Sequence, residues 1–343
     1  MSYLDWVASL WPGGGRFRYR TGERFKLFAN SLQDVVLKGY EPHEPEFAPP
    51  FEVVEPARLT CPLVFSSPHS GNVYPRRFLA AARLEEAVLR RSEDAFVDVL
   101  FGGVNALGAP LIKARFPRAY LDLNREPYEL DPRMFEGTLP PFANTRSLRV
   151  AGGLGTIPRV AAQVQEIYVR RMPVEEAMLR IEKLYKPYHA CLAKLIERAR
   201  RVFGIAVLVD CHSMPSAIRR ADHTPLFGDL NPPGKPDVVI GDRFGKSCGT
   251  DLVDALEGEL RRGGYIVQRN KPYAGGYITE HYGNPANDCH AMQIEVSRAL
   301  YMDECGVRRS ERFAAVAEGV TKAAAVLVEA VAARHGRLRA AAE

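Results

Sequence analysis

Two apolar runs in this chain end on histidine. One is Ile205-Ala206-Val207-Leu208-Val209-Asp210-Cys211-His212-Ser213, and the other, far upstream, is Leu63-Val64-Phe65-Ser66-Ser67-Pro68-His69-Ser70-Gly71. Open α/β sheets bind ligands beyond the carboxyl ends of their strands, so His69 and His212 can meet at one edge. Neutral imidazole is a common ligand of a borderline cation such as zinc, and catalytic zinc takes three protein ligands with one position left open. A lone strand-end histidine is most simply a hydrogen-bonded core residue. Two with the same placement make a metal site the first hypothesis. The third ligand has to be a carboxylate, and Glu93 and Asp94 fall beside His69 if the intervening loop folds back. Acidic pairs on helices ordinarily face water, so this part of the pattern is the weakest.

Further polar residues gather near these segments. Asp122-Leu123-Asn124-Arg125 sets an amide beside a guanidinium after an apolar run, where a fork of donors can clamp a substrate carboxylate. Arg118 and Arg146 lie in or beside the same stretch, and so many arginines imply an anionic substrate. In Gln293-Ile294-Glu295-Val296-Ser297 polar and apolar residues alternate, so Gln293, Glu295 and Ser297 face one way along a strand. Glu295 can then project into a cleft as a proton acceptor for amide hydrolysis. The loop Lys271–Gly283, with Gly275-Gly276 ahead of Tyr277 and Thr279, reads as a substrate wall. Neither GxxxxGK[ST] nor GxGxxG occurs there, which excludes the usual phosphate-binding loops. Ser70 and Ser213 lack the GxSxG elbow of a serine hydrolase. His281 and His290 read as structural or wall residues.

These residues need a scaffold, and the pattern from Phe51 onward supplies one. Short β-rich runs alternate with longer helical periods, the sign of an α/β sheet with helices on its faces. Strands are expected at 63–67, 110–115, 119–123, near 205–212, and at 238–241, 265–268 and 291–296. Helices are expected over 84–107, 159–171, 174–203, 250–262 and 308–335, and the Pro- and Gly-rich stretch 126–158 reads as a long functional loop. Residues 1–50, with Gly13-Gly14-Gly15 and a Pro-rich finish, read as an N-terminal extension, and 51–343 as a single α/β domain.

The net charge of +5, from 46 basic and 41 acidic residues spread along 343, is too mild to mark a nucleic-acid partner. No window approaches the roughly 20 apolar residues of a membrane span, and six cysteines without CxxC spacing read as reduced core thiols. A cytoplasmic location is expected. Nothing in the sequence fixes an oligomeric state.

Taken together, the segments resemble the N-formylglutamate amidohydrolase family. The resemblance rests on Ser67-Pro68-His69-Ser70-Gly71, Glu93-Asp94 with Val97-Asp98, Asp122-Leu123-Asn124-Arg125, Asp210-Cys211-His212-Ser213-Met214-Pro215, Gly275-Gly276-Tyr277-Ile278-Thr279 and His290-Ala291-Met292-Gln293-Ile294-Glu295 with Arg298. It implies a central mixed β-sheet flanked by helices, like the zinc carboxypeptidases and their phosphorylase/hydrolase-like relatives. It also implies hydrolysis of a formyl or acyl amide on an acidic amino acid, a step of histidine catabolism. By resemblance one Zn2+ is held by His69, His212 and Asp94, with Glu93 as the alternative third ligand. Glu295 is the base and Arg118 helps to stabilise the oxyanion. Asn124, Arg125, Arg146, Tyr277 and Thr279 contact a small anionic N-acyl amino acid. The carboxypeptidase relatives carry a glutamate three residues after the first histidine, where this chain has Asn72. Two other readings remain: a deacylase or peptidase for another N-acyl amino acid, and a non-catalytic small-molecule binding protein on the same fold.

Overall fold

Val, Ile and Leu dominate the short runs that form the sheet, as expected where both faces of a strand are buried. A computed structural model describes residues 44–161, 165–216 and 235–340, with side chains described as far as 334. The expected extension therefore lies largely outside the described residues. Its last part is described, and there Phe47 is buried edge-on against Phe116 and Tyr120.

Seven strands make one mixed sheet: β1 (Phe51–Val54), β2 (Leu63–Ser67), β3 (Leu111–Ala114), β4 (Ala206–Met214), β5 (Val238–Gly241), β6 (Val267–Arg269) and β7 (Cys289–Ser297). Their order is β1-β3-β2-β4-β7-β5-β6. The inner strands β3, β2, β4 and β7 run parallel; β1 is antiparallel to β3, and β5 is antiparallel to β7. Around the sheet lie α1 (Val97–Leu100), α2 (Val174–Arg180), α3 (Lys186–Phe203), α4 (Thr250–Arg262), α5 (Tyr277–Tyr282) and α6 (Phe313–Ala340). A single π turn, Ile181–Tyr185, joins α2 to α3 without a break. No helix among the described residues is long and apolar enough to cross a membrane.

The two-residue period of the strands divides the core in two. Val64, Ala206, Leu208 and Ala291 pack with Tyr188, Leu192 and Leu195 of α3. Phe65, Val207, Val209, Met292 and Ile294 pack on the opposite face with Leu252 and Leu256 of α4 and Val320 and Leu327 of α6. On the α3 face the same alternation continues past the apolar positions to Ser66 on β2, Asp210 and His212 on β4, and Gln293 and Glu295 on β7. All five are buried. One sheet face thus turns from apolar to polar as its parallel strands approach their carboxyl ends.

Three expected elements differ. The helix expected over 84–107 is broken into Glu86–Leu89, α1 and 3-10 turns at Arg90–Ser92 and Gly102–Leu107. Between them, the Asp94 N–H donates to His69 O at 3.0 Å instead of to a helical carbonyl, and Phe96 sits at φ 65°. The strand expected at 119–123 is a turn in which Tyr120 N–H bonds Pro117 O at 2.9 Å. The helix expected at 159–171 is, in its described part, a chain reversal with Val160 bridged to Glu166. By contrast, 126–158 is largely irregular, and Arg133 and Arg159 pin it to the buried Asp131.

The turn after β2 that carries His69 is set by a close backbone approach. A Cβ on Gly71 would lie 2.2 Å from Phe116 O and 2.6 Å from the Arg115 carbonyl carbon, both backbone atoms that cannot swing aside. Gly71→Ala is expected to cost about 1–3 kcal/mol, the range for overpacking. Urea denaturation checks this, and an unchanged midpoint would mean that the turn yields freely.

Candidate metal centre and active site

Asp94 is the hub of the polar face. Its Oδ2 lies 2.9 Å from His212 Nδ1 and 3.4 Å from His69 Nδ1, and the two imidazole centroids are 4.8 Å apart. One ligand atom from each of His69, Asp94 and His212 lies within 4.8 Å of the others, and all three residues are buried. The other Asp94 oxygen is held elsewhere: Oδ1 accepts from Arg298 Nη2 at 3.2 Å and from the Ser213 hydroxyl at 3.3 Å. Arg298 also donates to Ser213 Oγ and to Arg91 O, which ties β4, β7 and the Asp94 turn together.

Both histidines turn the far side of the ring to a carboxylate. His69 Nε2 is 2.7 Å from Asp122 Oδ1, and His212 Nε2 is 2.8 Å from Asp210 Oδ2. A carboxylate behind each imidazole fixes its tautomer and raises its basicity, as in histidine–metal sites generally. His69 Nδ1 is then a buried nitrogen without a hydrogen-bond partner among the described residues. That orphan, facing a carboxylate oxygen and a second imidazole, fits a divalent cation with nitrogen and oxygen ligands.

The charges favour a proton or a cation held between the carboxylates and His212, and a bound cation would displace the proton. Burial raises the Asp94 pKa, but the hydrogen bond with His212 and the nearby His69 imidazole outweigh it and hold the carboxyl well below the usual range. Burial opposes charge on His212 as well, yet Asp210 and Asp94 keep its pKa well above the ordinary histidine value. Asp122, despite its burial, is held ionised by Arg125, His69 and Arg118. Replacing Asp210 by Asn is expected to weaken metal affinity about 10–100-fold, the range for outer-shell partners of ligating histidines. Competition with a chromogenic chelator measures it, and an unchanged affinity would mean that Asp210 does not tune His212.

Glu295 stands opposite His212 in the β4–β7 register. Burial, chiefly, pushes its carboxyl up to about 7, with Asp94 adding to the rise and His212, Arg118 and Arg298 opposing it. Gln293 orients it: Gln293 Oε1 accepts from Gly276 N–H at 2.8 Å, which leaves Nε2 to donate to Glu295 Oε1 at 2.7 Å. Arg118 donates to Asp122 Oδ2 at 2.8 Å and keeps 26% of its side chain exposed.

The expected substrate contacts fall into two groups. Asn124 and Thr279 have their polar atoms committed to the protein. Asn124 Oδ1 accepts from Ile278 N–H at 2.8 Å, while its Nδ2 faces Asp210, His212 and Gln293. The Thr279 hydroxyl, fully buried, donates to Gly276 O. Both brace the wall from within. Arg125 is largely committed too, donating to Leu154 O and Asn124 O. Arg146 is exposed, and Tyr277 keeps part of its surface open, its ring stacked on His281 at 4.9 Å. Glu93 turns away from the cluster, towards Tyr74 and Arg90.

The sequence model of one family, N-formylglutamate amidohydrolase, matches residues 61–302, the span that contributes every side chain of this cluster. The chain belongs to the N-formylglutamate amidohydrolase family. It is 31% identical over 250 residues to the N-formylglutamate deformylase of Pseudomonas putida, covering 71% of this chain and 82% of the relative. The deformylase of Pseudomonas aeruginosa is 30% identical over 257 residues, 74% of this chain and 86% of the relative. The crystal structure of N-formylglutamate amidohydrolase from Ralstonia eutropha JMP134 superposes with a TM-score of 0.73 at 36% identity, over 84% of this chain and 99% of that one.

No role for Asp122, Asp210, Arg298, Ser213 or Gln293 in this amidohydrolase was legible in the residue pattern. For Asp210 a signal was present, since it lies two residues before His212 on one strand and so shares its face. Gln293 and Glu295 share a face in the same way. Asp122 carried no such signal, because it sits in a turn whose N–H bonds Thr156 O, more than thirty residues on.

Proposed function

We propose that this amidohydrolase cleaves the formyl amide of N-formyl-L-glutamate, or of a similar N-acyl amino acid, to formate and the free amino acid, with one zinc ion at His69, Asp94 and His212. The observation that carries this reading is the convergence of two imidazole Nδ1 atoms on one Asp94 oxygen beside the buried Glu295. The named deformylase relatives supply the substrate. When bound, the cation would polarise the amide carbonyl and make water nucleophilic near neutral pH.

The chain's own residues do the remaining work. Glu295 takes the proton of the attacking water and hands it to the departing amide nitrogen, a transfer suited to a group that titrates near the working pH. Gln293 keeps the receiving carboxylate aimed. Arg118 offers fixed positive charge to the oxygen of the breaking amide, and with Arg125, Arg146 and Tyr277 draws the substrate carboxylate to the mouth. Asn124 and Thr279 hold the wall in place.

Formate release from N-formyl-L-glutamate by the purified protein, with and without a chelator, tests the reading. Turnover that a chelator abolishes and zinc restores is expected. Chelator-resistant turnover would remove the metal, and hydrolysis of N-acetyl amino acids alone would move the acyl group.

A further inference from the structure

Glu93 and Asp94 are consecutive and each is 1% exposed, yet their carboxylates serve opposite sides of one backbone. Asp94 faces the two histidines. Glu93 Oε1 accepts from the Tyr74 hydroxyl at 2.8 Å and from Arg90 Nε at 3.1 Å. Its Oε2 is buried and has no hydrogen-bond partner among the described residues. A buried acceptor of this kind is unfavourable until a donor reaches it.

Glu93 lines a polar cleft of about 250 Å3, bordered by the Ser70–Val73 turn, β3 and the start of α1 and open to solvent. This is a little below the usual range for ligand clefts, about 300–1,000 Å3, and suits a molecule of amino-acid size. Three of its cations already face acids: Arg90 is 3.1 Å from Glu93 Oε1, Lys113 is 3.1 Å from Asp98, and Arg115 is 3.7 Å from Glu52. Arg309 differs. Its guanidinium lies over the rings of Phe96 and Phe313, at 5.2 and 4.7 Å from their centroids, and among the described residues it pairs with no carboxylate.

The cleft therefore holds one acceptor and one cation that the protein leaves unanswered. A lone cation would satisfy Glu93 and leave Arg309; a lone anion would do the reverse. We propose that it is a second small-molecule site, separate from the metal centre, that takes a zwitterionic α-amino acid, with the ammonium on Glu93 and the carboxylate on Arg309. The Glu93–Asp94 backbone is the partition between the two sites. The proposal does not depend on which acyl amino acid is hydrolysed.

Isothermal titration of the metal-loaded full-length protein with glycine and with L-glutamate tests it, with methylammonium and propionate as the two halves of the ligand. Saturable glycine binding is expected, at least about tenfold weaker in Arg309→Ala, a difference of about 1.4 kcal/mol. Glu93→Gln should weaken it likewise, and each half-ligand should bind about tenfold less tightly than glycine. Arg309 is exposed, so Arg309→Ala carries the test even if Glu93→Gln fails to fold. Equal glycine affinity in wild type and Arg309→Ala would place the amino acid at the metal centre alone and overturn the proposal. So would the absence of saturable binding up to about 50 mM.

Discussion

Asp94→Asn is expected to strip the protein of its metal and abolish turnover. The substitution keeps size and shape while removing the charge on which both imidazole Nδ1 atoms converge. An amide can do worse than leave a gap: if its NH2 takes the Oδ2 position, it donates to the nitrogen lone pairs that should meet the cation. Nor can the side chain readily reverse, since the other oxygen is held by Arg298 and Ser213. The loss in metal affinity should exceed the roughly 100-fold upper range for outer-shell partners. Metal analysis after dialysis, with circular dichroism to check the fold, gives the answer. One equivalent of zinc retained by a folded Asp94→Asn protein would remove Asp94 from the ligand set. Glu93→Gln is the matching control. Its carboxylate belongs to Tyr74 and Arg90, so metal content should stay normal.

The contrast between these two neighbours shows which parts of the site were readable from sequence. Glu295 could be found because a strand has a fixed period of two. Once Ile294 and Val296 of β7 were assigned to the core, Gln293, Glu295 and Ser297 had to face the other way. His69 and His212 were each found as the polar end of an apolar run. Asp94 was harder, because its segment has the spacing of an amphipathic helix and a helix would have placed the carboxylate in water. What holds it instead are long-range bonds: its N–H donates to His69 O, and its Oδ1 accepts from Ser213 and Arg298. No local periodicity records such a contact. The same reason hid Asp122, since the apolar residues at 119–123 mimic a strand but belong to a turn tied to Thr156. The order of strands in the sheet was equally out of reach. It places β4 between β2 and β7, and so brings together histidines and a glutamate that are more than eighty residues apart in sequence.

That adjacency leads to the second large effect. Glu295→Gln is expected to keep the metal and lower kcat by about 10²–10⁴, the usual contribution of a positioned acid–base group. The side chain is held in place on both counts that matter. Its strand is paired in register with β4 through nine residues, so the backbone cannot drift from His212. Its Oε1 accepts from Gln293, whose orientation is fixed by the Gly276 N–H, and a glutamine oxygen can accept the same bond. The substituted residue should therefore sit where the glutamate sat and lack only the ability to take a proton. Burial already places the Glu295 pKa at about 7, where a carboxylate is both available as a base and strong enough as an acid when protonated. Because the proton is transferred only in the chemical step, KM should change little while kcat falls. Steady-state formate release together with zinc content separates the outcomes. Turnover within about tenfold of wild type would mean that another group moves the proton. Loss of zinc along with turnover would make Glu295 part of the metal's support and leave the base to be found elsewhere.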